Sequence, residues 1–204
     1  MPNRAFWDRM LSVAALAALA VASLAGTRAI RAQSSADAAA SPPAAHFALS
    51  SPDLPEHGSM HAAQVNTRCG GRDVSPALAW HDPPDGTRSF ALLVHDPDAP
   101  QAEGFWHWIV YDIPASARSL PAGAGDPRRH LLPSGAVQGR SDFGTEGYGG
   151  PCPPPGRPHR YVFRLYALPV ATLNVPPDAT ATVIASYADA AALGKAQLIA
   201  HYGR

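Results

Sequence analysis

Three apolar runs of strand length, each next to a proline-rich segment, most strongly constrain how this chain can fold. SFALLVH (89–95) and HWIVYDI (107–113) are continuous apolar runs of the length that a buried strand takes. The first stops at DPDAP (96–100) and the second at Pro114, where proline cannot continue the hydrogen bonds of a sheet. HRYVFRLYAL (159–168) is the third run, and its alternate residues from 159 to 165 fall on one face. The pattern predicts a mostly β protein.

Weaker patterns predict the remaining elements. Short strands are expected at 46–50, 63–65 and 76–80, whereas 116–147 is rich in loops. Good helix formers with regular apolar spacing predict helices at 178–189 and 190–202, with Asp178 as an N-cap. The 17 Gly and 22 Pro fit dense turns between short strands.

The N-terminus has the pattern of a secretory signal peptide. Arg4 and Arg9 precede an uncharged Ala/Leu/Val run at 11–25, and small residues follow at several cleavage points between 25 and 32. The alternative is a retained membrane anchor, since the run is almost as long as a bilayer requires. Residues 1–32 are thus predicted to be a signal peptide, 33–45 a flexible Ala/Ser/Pro linker and 46–204 a single domain, with the mature protein periplasmic or secreted.

Charge excludes one class of partner. Removal of residues 1–32 leaves 12 basic and 15 acidic residues, and the chain contains a single lysine, Lys195. A nucleic-acid surface needs clustered Lys and Arg, so no nucleic-acid partner is expected. Without the leader, no integral membrane span is expected either.

The two cysteines, Cys69 and Cys152, both lie in Gly-rich loops. In an exported protein they could pair and close a long loop; the alternative is two buried or free thiols.

Signatures of the common hydrolases and nucleotide-binding proteins are missing from the sequence, including G-x-S-x-G, H-E-x-x-H, the P-loop and C-x-x-C. What remains is a set of polar residues at strand ends. Asp96 ends one strong strand, and His107 and His159 begin the other two. If the three strands share one sheet, these side chains could converge at one edge, beside the Gly/Pro loop at 149–155. Each residue also has a structural interpretation: Asp96 as a turn residue, and either His as part of the packing.

Four segments carry a resemblance to a known family. DPDAP (96–100), WHW (106–108), GYGGPCPPPGRPHRYVFRLYAL (147–168) and CGGRDVSPALAW (69–80) together resemble the phosphatidylethanolamine-binding protein (PEBP) family, in particular its bacterial Raf kinase inhibitor-like branch. The resemblance covers residues 46–204. It implies a β-sandwich, a large central sheet against a smaller sheet, with C-terminal helix.

The resemblance also implies a small anion pocket at one end of the sheet, which accepts phosphate or a phospholipid head group. The pocket maps onto residues from four segments of this chain: Asp96, His107, Gly149, Gly150, Pro151, His159 and Tyr161. The short segment after DPDAP implies an open rim.

Such a pocket would bind anions without a metal or other cofactor. The imidazoles of His107 and His159 and the hydroxyl of Tyr161 could donate to phosphate oxygens, more strongly at low pH, where imidazole is protonated. Asp96 would set the tautomer of one ring, and the backbone N–H groups of Gly149 and Gly150 would add neutral donors. The sequence therefore predicts a non-catalytic binding protein for a small anion or phospholipid head group, with its protein partner unknown. The alternatives are a metal-assisted hydrolase that uses the same His/His/Asp set, and an inhibitor of a secreted protease.

Overall fold

The computed structural model describes residues 46–204, and the predicted leader and linker lie outside this range. The described residues form two β-sheets, one α-helix and two short 3₁₀ helices, Thr67–Cys69 and Pro127–Arg129. The strands are β1 (Ala48–Ser50), β2 (Leu78–His81), β3 (Ser89–Asp96), β4 (Phe105–Pro114), β5 (Ser119–Leu120), β6 (Val137–Gln138), β7 (His159–Leu168) and β8 (Gly194–Tyr202). The helix α1 (Ala181–Ala191) lies between β7 and β8 in sequence. Within 46–204, no helix has the length and apolar character needed to cross a membrane.

The two sheets form a sandwich. The smaller sheet has the order β1-β2-β5 and the larger sheet the order β6-β4-β3-β7-β8, with neighbouring strands antiparallel. Trp80 and Leu120 of the smaller sheet share one buried cluster with Phe90, Trp108 and Phe163 of the larger sheet. The predicted PEBP-like sandwich of a large sheet against a smaller sheet is confirmed.

The continuous apolar run of β3 follows from burial of both faces of the large sheet. Phe90 and Leu92 point into the cluster between the sheets, whereas Ala91 and Leu93 belong to a second cluster on the opposite face. That second cluster is covered by α1, whose Ile184 is buried there. A strand with two buried faces shows no polar alternation, which explains the pattern seen in the sequence.

One helix was placed almost correctly, and one was wrong. The predicted helix 178–189 corresponds to α1, but its N-cap is Thr180, whose hydroxyl accepts a hydrogen bond from the Val183 N–H, rather than Asp178. The predicted helix 190–202 is instead β8, which pairs with β7 from Ala167–Gly194 to His159–Tyr202.

The error at β8 has a physical cause. Ala, Gln and Leu favour helix locally, but pairing with β7 and burial of every second residue outweigh that weak preference. The alternating buried residues are Ala196, Leu198 and Ala200.

The predicted strand at 63–65 is also wrong. Its carbonyls accept hydrogen bonds from the following turn, Ala63 from Val74 and Val65 from Asp73, within a compact loop. The loop-rich segment 116–147 does contain two strands, β5 and β6, each of two residues.

Candidate functional site

Antiparallel pairing brings the three predicted polar residues to one edge of the large sheet. β3 ends at Asp96, which pairs with Phe105 at the start of β4. β7 begins at His159 on the other side of β3. Because both neighbours run opposite to β3, its end meets their starts, and Asp96, His107 and His159 all line one cavity of about 780 Å³.

His159 is held by Asp96. Its Nδ1 lies 2.8 Å from Asp96 Oδ2, and the two side chains are 13% and 4% exposed. The other carboxylate oxygen of Asp96, Oδ1, accepts the Asp98 N–H at 2.9 Å. A carboxylate oxygen can only accept, so Nδ1 of His159 carries the proton, and Nε2 is the ring nitrogen left for a ligand.

A backbone carbonyl orients the His107 ring in the same way, through the Nδ1 atom. Its Nδ1 lies 2.7 Å from the Gly149 carbonyl oxygen, which can only accept, so this nitrogen is also protonated. The residue is 5% exposed, and burial lowers the pKa of His107 below its ordinary value. Both imidazoles therefore present Nε2 as their remaining polar atom.

Tyr161 adds a buried hydroxyl to the cavity. The residue is 1% exposed, and its Oη lies close to the Asp96 carboxylate but makes no hydrogen bond of regular geometry among residues 46–204. Burial, and then the negative charge of Asp96, raise the pKa of Tyr161, so the hydroxyl keeps its proton. An unpaired buried donor costs free energy, which a ligand oxygen could recover.

Aromatic rings form one wall of the cavity. The Phe105 and Phe143 rings contact each other edge-on, with centroids 4.8 Å apart. Both also contact the His107 ring, at 5.1 and 5.5 Å. This apolar wall keeps the imidazole of His107 away from water.

The glycine loop lies where it was predicted, but the expectation that its N–H groups are free donors is wrong. The Gly149 N–H donates to the His107 carbonyl at 3.0 Å, and the Gly150 N–H donates to Asp73 Oδ1 at 2.7 Å. Gly149 lines the cavity, whereas Gly150 and Pro151 do not. At Gly150 a Cβ atom would lie 2.1 Å from the Gln64 carbonyl oxygen, so glycine is required there by the chain's own close approach.

A disulfide joins the two loops beside the cavity. Cys69 and Cys152 are bonded, with Cα atoms 5.6 Å apart, a normal separation for such a bridge. Cys152 lines the cavity, and Cys69 ends the 3₁₀ helix Thr67–Cys69.

Asp73 is the main residue that the sequence analysis missed. Besides the Gly150 N–H, its carboxylate accepts the N–H and the hydroxyl of Thr67, both at 3.0 Å. It thus ties the loop at 66–73 to the glycine loop. Asp73 stands in CGGRDVSPALAW, but nothing in that segment distinguishes it from an ordinary turn residue.

The cavity also contains two further charged groups that were not predicted, one from the loop at 66–73 and one from the segment before the glycine loop. Arg68 contributes a cation, and Asp142 contributes a carboxylate whose Oδ2 accepts the Trp106 N–H at 2.8 Å. Asp96, Asp73 and Asp142 each accept at least one backbone N–H, which offsets part of their negative charge.

Comparison with known proteins places this geometry in a family. The family model for "Phosphatidylethanolamine-binding protein" matches residues 50–203. The Escherichia coli (strain K12) proteins "UPF0098 protein YbcL" and "UPF0098 protein YbhB" are similar. YbcL is 43% identical over 135 residues, which cover 66% of this chain and 74% of YbcL. YbhB is 44% identical over 114 residues, which cover 56% of this chain and 72% of YbhB.

A solved structure agrees with the sequence relatives. The crystal structure of E. coli YbcL, described as a new member of the mammalian PEBP family, matches with a TM-score of 0.74 at 37% identity, covering 78% of this chain and 99% of that chain. The chain is therefore a member of the phosphatidylethanolamine-binding protein family, in the branch that includes YbcL and YbhB.

Proposed function

We propose that this chain is an exported, non-catalytic binding protein for a small phosphate-like anion or a phospholipid head group. The ligand sits between His107 and His159 and also takes a hydrogen bond from Tyr161, while Asp96 holds His159. Export rests on the predicted leader at 1–32.

The observation that carries the proposal is the matched orientation of the two imidazoles. Each ring uses Nδ1 internally, at 2.8 Å from Asp96 and 2.7 Å from Gly149, so each has Nε2 left for a ligand. A neutral ring presents Nε2 as an acceptor, and a protonated ring presents it as a charge-assisted donor. Anion binding is therefore coupled to proton uptake, and affinity rises as pH falls.

The hydroxyl of Tyr161, which makes no hydrogen bond of regular geometry within residues 46–204, supports the same ligand class. A tetrahedral oxyanion has several acceptor oxygens, which suit the N–H donors of two protonated rings and one hydroxyl donor. The carboxylates that line the cavity already have donors of their own, which reduces their repulsion of an anion.

Neither alternative function is favoured by an observation. Among residues 46–204, no three His, Cys, Asp or Glu side chains are placed to share a metal ion. Within the same residues, no serine lines the cavity beside the His159–Asp96 pair, and the one cysteine that does, Cys152, is joined in a disulfide. Neither residue type is therefore available there as a nucleophile.

Calorimetric titration of phosphate and phosphoethanolamine in phosphate-free buffer tests the proposal. His159→Ala removes one charge-assisted donor, so we expect affinity to fall about 10- to 100-fold. His81→Ala is the matched control, because the His81–Asp82 pair has a similar Nδ1–Oδ2 distance of 2.7 Å but is exposed and does not line this cavity. The control should bind as the wild type does.

A second arm separates free anions from lipids. Vesicles that contain phosphatidylethanolamine would compete with phosphate if the cavity accepts a head group in a bilayer, and would not compete if it accepts soluble anions alone. Equal affinity in the wild type and His159→Ala, or no binding by either protein, would show that the proposal is wrong.

A further inference from the structure

A second cavity, of about 390 Å³, adjoins the cavity described above. Thr67 and Asp73 line both cavities, and Thr67 is exposed, so the two open to solvent beside each other. The loop at 66–73 contributes Arg68 to the first cavity and Arg72 to the second. Arginine side chains that are separated in the sequence meet in the second cavity: Arg72, Arg128 and Arg129.

The Arg129 guanidinium lies against the backbone of the loop that precedes it. A Cβ atom at Gly123 would lie 1.9 Å from Arg129 Nη1, and Gly123 has a φ of 78°, so both space and backbone conformation require glycine there. Within residues 46–204 the Arg129 side chain makes one hydrogen bond, a long contact of 3.5 Å from Nη1 to the Ala122 carbonyl oxygen. A guanidinium has five N–H donors, so most of those of Arg129 remain for a ligand.

Two of the three carboxylates that line the second cavity already have donors of their own. Asp126 accepts Arg128 Nε–H at 3.0 Å and Nη2–H at 2.9 Å. Asp73 accepts the two groups of Thr67 and the glycine-loop N–H described above. Glu146 is exposed, and among the described residues it is the one carboxylate of this cavity whose oxygens have no hydrogen bond or ion pair.

Arg72 and Arg129 have no carboxylate partner. Both residues are exposed, and neither forms an ion pair inside the part of the chain that the structure describes. Two unpaired guanidinium groups against the single unpaired carboxylate of Glu146 leave the cavity with net positive charge. A guanidinium can donate two parallel N–H bonds to two oxygens of one phosphate-type group, which makes arginine the side chain best suited to such a ligand.

We propose that the second cavity is an anion subsite in which Arg72 and Arg129 bind a phosphate-type oxyanion, separately from the site of His107 and His159. The oxyanion belongs either to a soluble phosphate compound or to the head group of an anionic phospholipid, since both present the same oxygens. Because arginine stays charged at neutral pH, this subsite keeps its donors where imidazoles lose theirs. The subsite goes beyond the proposed function and does not depend on it.

Titration with inorganic phosphate, followed by ¹H–¹⁵N nuclear magnetic resonance of the full mature chain, tests the subsite. We expect the backbone amides of Gly123 and Arg129 to shift in a saturable way. Sodium chloride of equal ionic strength should not reproduce these shifts, because salt screening acts on all exposed charges alike. Arg72→Gln and Arg129→Gln each remove one charged donor group and should weaken this binding about 10- to 100-fold.

Two further variants calibrate the result. Arg118→Gln is the matched control, because Arg118 is an exposed arginine whose Nη1 donates to two backbone carbonyls, and it lines neither cavity. It should bind phosphate as the wild type does. Glu146→Gln removes the unpaired carboxylate and should strengthen binding about 2- to 5-fold, since an exposed charge acts weakly on a neighbouring ion.

Sedimentation with vesicles distinguishes the two sources of the oxyanion. If the subsite takes a lipid head group, vesicles that contain phosphatidylglycerol should sediment the wild type more than the double variant Arg72→Gln, Arg129→Gln. Vesicles of phosphatidylcholine alone have no net charge and serve as the control. If phosphatidylglycerol vesicles sediment neither protein while phosphate still shifts the two amides, the ligand is a soluble phosphate compound.

Three results would overturn the inference: no saturable shift at Gly123 and Arg129, wild-type affinity in both single arginine variants, or weaker binding in Glu146→Gln, which would indicate a cationic ligand. His159→Ala separates this test from that of the proposed function, because shifts at Gly123 in that variant report the second cavity alone. If those shifts persist while phosphate leaves the amides around His159 unchanged in the wild type, the proposed function fails and the subsite stands.

Discussion

The disulfide offers the sharpest quantitative prediction. The double variant Cys69→Ser, Cys152→Ser opens a loop that spans a sequence separation of 83 residues. In the chain-entropy model, a loop of this length lowers the entropy of the unfolded chain by about 15 cal/mol/K, or about 4.5 kcal/mol at 25 °C. We expect the free energy of unfolding to fall by about that amount, which is a large part of the stability of a typical domain.

The native structure should largely survive this change. The two loops remain joined by the Gly150 N–H to Asp73 bond at 2.7 Å and by the Asn66 N–H to Pro151 carbonyl bond at 3.1 Å. The loss therefore arises mainly in the unfolded state, and the cavity should keep its anion affinity at temperatures well below the unfolding midpoint. For a domain of this size, about 4.5 kcal/mol corresponds to a fall in melting temperature of about 10–18 °C.

Urea unfolding followed by tryptophan fluorescence measures the difference directly. Wild type treated with a reductant should unfold at the concentration found for the double variant, and reductant should leave the double variant unchanged. A double variant within about 1 kcal/mol of the oxidised wild type would refute the reasoning, because a closed loop of this length would then not constrain the unfolded chain.

Two further predictions concern pH and the missed carboxylate. Burial lowers the pKa of His107 and His95 below the ordinary value of 6.5. As pH falls below 6.5, the unfolded chain therefore binds more protons than the folded protein. The free energy of unfolding decreases until the pH has passed the folded-state pKa. His107→Gln should flatten this decline in anion-free thermal melts; an unchanged slope would contradict the assignment. Asp73→Ala strands the buried Gly150 N–H and should cost about 1–3 kcal/mol in urea unfolding. Asp73→Asn, which keeps an acceptor and tolerates the φ of 53°, should cost less, and equal losses would argue against that bond.

The strong strands could be predicted because buried strands appear in the sequence as continuous apolar runs. The third run was placed at the bounds of β7, and the first two lie within β3 and β4. In β8 the period of two in Ala196, Leu198 and Ala200 was present, but helix formers masked it. Local propensity is a weak preference, and pairing with β7 outweighs it.

The candidate site could likewise be predicted only in part from the sequence. Asp96, His107, His159 and Tyr161 could be named from motifs at strand ends, and the structure brings all four to one cavity. The role of Asp73 could not be foreseen, because its contact with the glycine loop joins residues that are distant in sequence. Asp73 lies 77 residues from Gly150.

The sequence by itself determined which segments become buried strands and which side chains stand at their ends, since apolar runs and prolines act on their immediate neighbours. Only the tertiary structure decided how those ends are used: which ring nitrogen remains for a ligand, and whether a glycine N–H is free or already bonded. A hydrogen bond is satisfied by whichever group the fold brings within about 3 Å, and at this site that group is often far away in the chain, as Asp96 is from His159 and Asp73 is from Gly150.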